Sequence, residues 1–125
     1  MKLKDIMVKN PVCVKLPGNR TDVLKLLVQN NLTGVPVIRD DNTLAGFVTR
    51  QDIYAKPDEE QLAMVMRKDY PTLDYKESIE DGARIMLEME LHHLPVVKKE
   101  KLIGIVTPAD FLSAIEKMEL EAPVE

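Results

Sequence analysis

Aromatic residues are scarce in this chain, which limits the kinds of partner that it can bind. Among its 125 residues there are three Tyr, two Phe and no Trp. So few rings argue against a platform that stacks the bases of single-stranded nucleic acid. The formal net charge of -4 argues against non-specific binding to DNA or RNA, because such binding needs a basic surface. We therefore expect no nucleic-acid partner.

Cysteine and long apolar runs are equally scarce. Cys13 is the single cysteine, so no disulfide can form within the chain, and its place in the run Val12–Val14 predicts an inert thiol on a buried strand. No stretch approaches the length of a membrane span, and Met1–Asp5 lacks the apolar region of a signal peptide. These features predict a cytoplasmic protein with no membrane partner.

The chain is instead rich in aliphatic and charged residues. It is 45% hydrophobic and 30% charged, which is typical of a globular protein. With so few rings, Val, Leu, Ile and Met have to supply most of the core. The whole length suffices for a real core, whereas each half alone would be marginal.

The sequence is repeated once along the chain. A shift of 59 residues aligns Asp22 with Asp81, and a shift of 58 aligns Gly46–Asp52 with Gly104–Asp110, since one turn is a residue shorter in the second half. Two copies are too few for a solenoid. We expect two copies of one small module, packed sheet to sheet with pseudo-twofold symmetry.

Each half has the same predicted order of elements after an apolar lead-in with helical spacing: strand, helix, strand, strand, helix. The first long helix of each half is predicted to begin near Thr21 or Ser78, where a hydroxyl residue precedes an apolar periodic run. The predicted fold class is α/β (α+β), with two β-α-β-β-α repeats, each a three-stranded sheet with two helices. Pro57 and the acidic residues after it mark the boundary, so the predicted repeats are 1–58 and 59–125.

Four features of this order resemble those of a tandem pair of CBS (cystathionine beta-synthase) domains. They are the Met-x-x-x-Pro lead-in, the Val/Leu-Pro-Val-Val/Ile strand, the Gly-x-Val-Thr-x-x-Asp segment and the spacing between them. Both halves have the central strand and the Gly-x-Val-Thr-x-x-Asp segment, and the second lead-in is one residue longer, from Met66 to Pro71. The resemblance covers essentially the whole chain. It implies a regulatory sensor of an adenosine-containing ligand (AMP, ADP, ATP or S-adenosylmethionine) and association of two such pairs into a dimer.

The two Thr-x-x-Asp segments have two interpretations. Thr49 and Thr107 each end a predicted strand and open a helix, and Asp52 and Asp110 follow three residues later. This pattern is typical of helix capping, which needs no ligand. A helix start also offers N–H groups to phosphate, and a carboxylate beside it can accept hydrogen bonds from ribose hydroxyls. The resemblance implies that these four residues contact ribose or phosphate.

The loop before each central strand is the second part of the implied site, and the resemblance implies that each cleft mixes both repeats. Asp52 would face His92 and His93, which match in position a basic pair that reaches phosphate in the gamma subunits of AMP-activated protein kinase. With Arg50 also nearby, we expect this cleft to hold the more highly phosphorylated ligand. A polar histidine pair at a helix end is an equally good explanation, and no third ligand at a recognisable spacing supports a metal site.

The other cleft is predicted to be less charged. Asp110 would face the neutral loop of Thr33 and Gly34, which has little to offset a triphosphate, so adenosine or a monophosphate suits it better. Gly34 is useful where a backbone must come close to a ligand. The adenine needs an apolar slot, which we expect on the first strands of the two halves, at Val12, Val14 and Leu73.

No group of residues in the chain predicts catalysis. There is no activated Cys or Ser, no acid and base paired in one motif and no P-loop, so we expect neither enzyme activity nor a cofactor. The leading hypothesis is a stand-alone regulatory module that passes ligand binding on to a partner protein. The alternative is a homodimeric scaffold whose clefts are empty or degenerate.

The closing helix of each half has more apolar residues, at helical spacing, than one small core needs. Exposed patches of this kind usually mark an interface. We therefore predict a homodimer that forms through these residues: Ile53, Tyr54, Phe111, Leu112, Ile115 and Met118.

Overall fold

The computed structural model describes residues 1–121 and has the predicted mixture of helices and strands. The last four residues of the predicted second repeat, 122–125, lie outside the described part. In chain order the elements are α1 (Leu3–Ile6), β1 (Val8–Lys9), β2 (Val14–Lys15), α2 (Arg20–Gln29), β3 (Gly34–Ile38), β4 (Leu44–Thr49), α3 (Arg50–Ala55), α4 (Leu62–Val65), β5 (Arg67–Lys68), β6 (Leu73–Asp74), α5 (Ile79–Glu88), β7 (Leu94–Lys98), β8 (Lys101–Val106) and α6 (Pro108–Glu121).

The strands form two sheets of four, in the orders β2-β3-β4-β5 and β1-β8-β7-β6. The predicted strand-helix-strand-strand-helix order is confirmed, but the prediction of three strands in each sheet is wrong. Each lead-in is helical for one turn only and then extends into a strand of two residues. These strands, β1 and β5, pair antiparallel with β8 and β4 and add the fourth strand to each sheet.

The compact units of the fold differ from the repeats of the sequence. One unit, called here the Asp52 unit, comprises residues 12–71 and 100–102. The other, called the Asp110 unit, comprises residues 1–11, 72–99 and 103–121. The lead-in of each repeat therefore packs with the remainder of the other repeat.

The cores of both units are mainly aliphatic, as the composition predicted. In the Asp52 unit, α2 and α4 bury apolar faces on the sheet, and the buried cluster consists of Val23, Leu27, Val35, Val37, Ala45, Val48, Ile53, Leu62 and Val65. In the Asp110 unit the corresponding cluster consists of Leu3, Ile79, Met86, Leu94, Val96, Val106 and Phe111. Burial of each large aliphatic side chain contributes roughly 1.5–3 kcal/mol, so the lead-in residues Leu3 and Leu62, both fully buried, fasten the lead-ins in place.

The N-terminal caps of the two ten-residue helices are equivalent in the two repeats. Ser78 caps α5 as predicted, since its Oγ accepts the N–H of Asp81 at 3.1 Å. The prediction of Thr21 for α2 was wrong, because the cap is Asn19, whose Oδ1 accepts the N–H of Asp22 at 2.9 Å. Asn19 is 59 residues before Ser78, so the repeat itself pointed to the correct position.

Candidate functional site

Thr49 and Asp52 form a capping box at the start of α3. Asp52 Oδ2 accepts the backbone N–H of Thr49 at 3.0 Å, and Thr49 Oγ1 accepts the N–H of Asp52 at 3.1 Å. The capping interpretation of this segment is therefore confirmed. The cap bond is made by Oδ2, so Oδ1 of the carboxylate is not needed for capping.

The start of α3 has few amides left for a phosphate. The N–H of Arg50 donates to the carbonyl oxygen of Thr33 at 2.9 Å, and the N–H of Asp52 is used by the cap. Only Gln51 in the first turn of this six-residue helix has no such bond among residues 1–121. Two amides at the start of α3 are thus already bonded, and a phosphate contact there stays a prediction.

Arg67 is the residue beside Asp52 that the sequence reasoning missed. Its Nε lies 3.0 Å from Oδ1 and 3.1 Å from Oδ2 of Asp52, and the exposed fractions of the two side chains are 50% and 16%. Arg67 lies on β5, opposite Phe47 of β4, so the extra strand brings it to the carboxylate. The available signal was a difference between the repeats, because the residue aligned with Arg67 is Val8.

An aromatic pair lies beside this ion pair. The rings of Phe47 and Tyr70 stack with centroids 4.6 Å apart and an interplanar angle of 18°. Burial is the main cause that raises the pKa of Tyr70. The charge of Arg67 lowers this pKa and the charge of Asp52 raises it, so both charges act on the phenol. Phe47 also explains why position 34 is a glycine. A Cβ at this position would lie 2.7 Å from the Phe47 ring, so packing requires a glycine whether or not a ligand approaches it.

Arg50 has a structural role that argues against its predicted contact with phosphate. Its Nε donates to the carbonyl oxygen of Leu32 at 2.7 Å, and one terminal nitrogen donates to the carbonyl oxygen of Leu27 at 3.2 Å. These carbonyls lie at and just beyond the C-terminal turn of α2, where a cation is favourable. The guanidinium is therefore committed to holding α2 and α3 together.

Asp110 lies in a simpler environment in the Asp110 unit. Its Oδ2 accepts the N–H of Thr107 at 2.9 Å and the hydroxyl of Thr107 at 3.2 Å. Among residues 1–121, no group donates a hydrogen bond to its Oδ1 and no cation pairs with it. Asp110 is partly buried, so this carboxylate presents one unused oxygen at the end of β8.

His92 and His93 differ in exposure. His92 is exposed and His93 is partly buried. Burial lowers the pKa of His93, and the neighbouring His92 lowers it further, which disfavours the charged imidazolium. A neutral imidazole has no charge to offer a phosphate, which weakens the predicted role of this residue. That the histidine loop faces Asp52, and that Thr33 and Gly34 face Asp110, stay predictions.

The expected adenine slot is only partly buried. Val12 is 43% exposed, Val14 and Leu73 are partly buried against their cores, and the strand β2 begins only at Val14. The prediction of a buried strand over Val12–Val14 is therefore wrong. Cys13 is also partly buried, and burial raises its pKa while Lys15 lowers it, which keeps the thiol protonated as expected for an inert cysteine.

Two features that other types of site need are missing from residues 1–121. None of the described helices combines the length and apolar character that a membrane crossing needs. No cluster of three or more His, Cys, Asp or Glu side chains is arranged to hold a metal ion in this part of the chain.

Comparison with known proteins identifies relatives of the whole chain. A family model, the CBS domain, matches it twice, over residues 3–58 and 62–117. The crystal structure of CBSX2 in complex with AMP is 30% identical, with a TM-score of 0.88 and coverage of 94% of this chain and 98% of that one. Hypoxic response protein 1 of Mycobacterium tuberculosis is 27% identical over 86% of this chain and 80% of that protein.

A further relative shows the same similarity within a longer chain. Uncharacterized protein MJ0188 of Methanocaldococcus jannaschii is 36% identical over 121 residues, which is 94% of this chain and 45% of that protein. The chain thus spans less than half the length of the first curated relatives that it matches, 42% and 45%.

Proposed function

Since the chain belongs to the CBS domain family, we propose that it is a regulatory module that binds an adenosine-containing ligand (AMP, ADP, ATP or S-adenosylmethionine). Pairs of CBS domains are generally regulatory, and this one would pass the binding of its ligand to a partner protein. AMP is the first ligand to test, because CBSX2, the relative whose structure contains AMP, is similar over almost its whole length.

The observation that carries the proposal is the position of the two aspartates. Asp52 and Asp110 are partly buried, and each is oriented by the threonine three residues before it. In both, the threonine bonds Oδ2, whereas Oδ1 pairs with Arg67 in Asp52 and accepts no hydrogen bond among residues 1–121 in Asp110. A carboxylate held in this way accepts the hydroxyls of a ribose through charge-assisted hydrogen bonds.

The remaining parts of the proposed site follow from the exposure of neighbouring residues. Val12, Val14 and Leu73 offer apolar surface that is not fully used by either core, as an adenine requires. Thr49 and Thr107 provide hydroxyls beside the aspartates. We include no catalytic residue, and the proposed output is a change in the module that a partner protein detects.

Calorimetric titration with adenosine, AMP and ATP tests this proposal. Replacement of either aspartate, Asp52→Ala or Asp110→Ala, removes a charge-assisted contact worth about 1.5–3 kcal/mol, so affinity at that site should fall roughly ten- to a hundredfold. Asp58→Ala, at an exposed position, is the control and should bind like the wild type. Both aspartates also contact their threonines, so unfolding must be measured without ligand for every variant. The absence of binding by all three ligands to the wild type would refute the proposal.

A scaffold with degenerate clefts is the second candidate, and specific observations favour it. Arg50 is bonded to backbone carbonyls, Arg67 already pairs with Asp52, and His93 has a lowered pKa. The first and the third reduce the positive charge available to a phosphate, and the second occupies the carboxylate that a ribose would use. A nucleotide panel in a thermal-shift assay separates the two functions, since a ligand specific to the folded state raises the melting temperature.

We also propose that the module is a homodimer. Along α6, three apolar residues spaced by three stay largely exposed, with exposed fractions of 62% for Leu112, 49% for Ile115 and 46% for Met118. Two of the residues first assigned to the interface, Ile53 and Phe111, are buried in the cores of their own units, so they are removed from it. The apolar stripe on α6 supports a second copy of the chain as its partner.

A further inference from the structure

Arg67 and Val8 lie at equivalent places in the two units, and only one of them is charged. Arg67 of β5 is opposite Phe47 of β4, and Val8 of β1 is opposite Ile105 of β8. Phe47 and Ile105 align under the repeat shift of 58. Asp52 therefore has Arg67 on the neighbouring strand β5. In the Asp110 unit the equivalent position on β1 is Val8, which is half-exposed and uncharged.

Arg67 occupies the carboxylate that the ribose would use. Its Nε lies within 3.1 Å of both oxygens of Asp52, and one of these oxygens also accepts the N–H of Thr49. A ribose that donates from both hydroxyls needs these same lone pairs. Arg67 has to turn away before the ribose can bind, and its half-exposed side chain has the rotatable bonds to do so.

The cost of turning away depends on the charge of the ligand. With an uncharged nucleoside, Arg67 loses its partner and returns to water. With a nucleotide, the guanidinium exchanges one anion for another, because a phosphate accepts its N–H groups in a bidentate, charge-assisted arrangement. The displacement of Arg67 is thus compensated only when the ligand has its own negative charge.

Three other long cations of the Asp52 unit already donate hydrogen bonds to backbone carbonyl oxygens. Arg20 donates to the carbonyl oxygen of Ile53, Arg50 donates to two carbonyl oxygens, and Lys56 donates to the carbonyl oxygen of Met64. Each of these side chains therefore holds the backbone. Arg67 is the arginine whose side chain pairs with Asp52, the carboxylate proposed to bind the ribose.

We propose that Arg67 determines the specificity of the Asp52 site: it selects adenosine ligands that have a phosphate, while the Asp110 site, with Val8 in the same place, does not discriminate by ligand charge. This inference rests on the proposed function, since it assigns a ligand class to one of the two proposed sites. It replaces Arg50 and the histidines with Arg67 as the reason for phosphate preference.

The test measures binding of adenosine and AMP at one site at a time. In an Asp110→Ala background, AMP is expected to bind the Asp52 site about ten- to a hundredfold more tightly than adenosine. Arg67→Val, which installs the aliphatic side chain found in the other repeat, should weaken AMP by that factor and leave adenosine unchanged or up to about fivefold tighter. Arg67→Lys should keep part of the preference, because the charge remains and the bidentate geometry is lost.

The reciprocal variant tests for gain of specificity. In an Asp52→Ala background, Val8→Arg should raise the ratio of AMP affinity to adenosine affinity at the Asp110 site by about fivefold or more. Thermal melts of each variant without ligand check that the fold is retained. Equal weakening of both ligands by Arg67→Val would show that Arg67 merely supports the site, and an unchanged ratio would also overturn the inference. If neither ligand binds the wild type, the proposed function fails; if both bind without preference at the Asp52 site, only this inference fails.

Discussion

Arg20 and Arg50 each donate hydrogen bonds to the C-terminal part of the helix that the other begins, or to the loop just after it. Arg20, the first residue of α2, donates to the carbonyl oxygen of Ile53 in α3 at 3.0 Å. Arg50, the first residue of α3, donates to Leu27 of α2 and to Leu32 just beyond it. This exchange holds the two helices of the Asp52 unit side by side.

The exchange is confined to one unit, because the repeats differ at both positions. The residues aligned with Arg20 and Arg50 are Ile79 and Pro108, neither of which has a side-chain donor. In the Asp110 unit, Ile79 is instead buried in the core, and Gly82 of α5 lies close to the ring of Phe111 in α6. The same helix pair is therefore held by polar contacts in one repeat and by apolar contacts in the other.

We predict that Arg50→Lys lowers the free energy of unfolding by about 1–3 kcal/mol. A lysine ammonium cannot reach both carbonyl oxygens with the planar fork of a guanidinium, so at least one partly buried carbonyl loses its donor. Urea denaturation followed by circular dichroism measures the change. Arg84→Lys is the matched control, since Arg84 is largely exposed and pairs with Asp81 at the surface; it should change the free energy by less than about 0.5 kcal/mol. Equal effects in the two variants would contradict the role given to Arg50.

We predict that Gly46→Ala is more destabilising than Gly104→Ala, although the two glycines are equivalent in the repeats. A Cβ at Gly46 collides with the backbone carbonyl of Arg67, whereas a Cβ at Gly104 meets the flexible side chain of Met7. Backbone cannot yield as a methionine side chain can, so we expect losses of about 3 kcal/mol and about 1 kcal/mol respectively. Chemical denaturation of both variants checks the order. A larger loss for Gly104→Ala would mean that the approach of β5 to β4 is not the tighter one.

We predict that stability falls on acidification because of His93. Burial, and secondarily His92, lowers the pKa of this imidazole in the folded state. The unfolded chain therefore takes up its proton at a higher pH, near 6.5, and stability present above that pH is lost as the pH falls toward the folded pKa. The slope from one proton is at most about 1.4 kcal/mol per pH unit, and solvent reduces it at a partly exposed site.

Denaturation of the wild type at pH 7.5 and pH 5.5 measures the effect of acidification. His93→Gln should reduce the difference between the two conditions. His92→Gln should keep most of it, because burial is the larger cause of the lowered pKa and His92 the smaller one. A difference that persists in His93→Gln would assign the acid sensitivity to the carboxylates instead.

We predict that Ile115→Glu dissociates the proposed dimer. Ile115 lies at the centre of the exposed stripe on α6, between Leu112 and Met118, and a carboxylate placed in an apolar interface loses its hydration without gaining a partner. Light scattering at micromolar concentration gives the mass in solution. Leu120→Glu is the control, because Leu120 is 87% exposed on the same helix but about 140° around the axis from Ile115. A wild type that is monomeric at this concentration would exclude the dimer outright.

Much of the fold was predictable because it depends on local signals that both halves repeat. Prolines, glycines and apolar periods fixed the order of strands and helices, and Thr49 with Asp52 proved to be the capping box that their spacing indicated. The predictions failed where the environment of a residue is formed by parts of the chain that are distant in sequence. Val12 was expected to be buried because its neighbours are apolar, yet it is 43% exposed. The start of the helix at Thr21 was expected from the local pattern, yet the cap is Asn19.

The sequence by itself determined that there are two copies of one module, the order of the elements in each, and that both copies have an aspartate after the same threonine. These properties are encoded by neighbours in the chain, so a single sequence displays them. Tertiary structure alone decided that each lead-in joins the sheet of the other repeat, and that Arg67 rather than Arg50 lies against Asp52. The reason is physical: a lead-in helix of one turn cannot bury its apolar residues by itself, so packing against the rest of the fold determines which sheet it joins. The strand that follows it then brings an arginine to a carboxylate fifteen residues earlier in the chain.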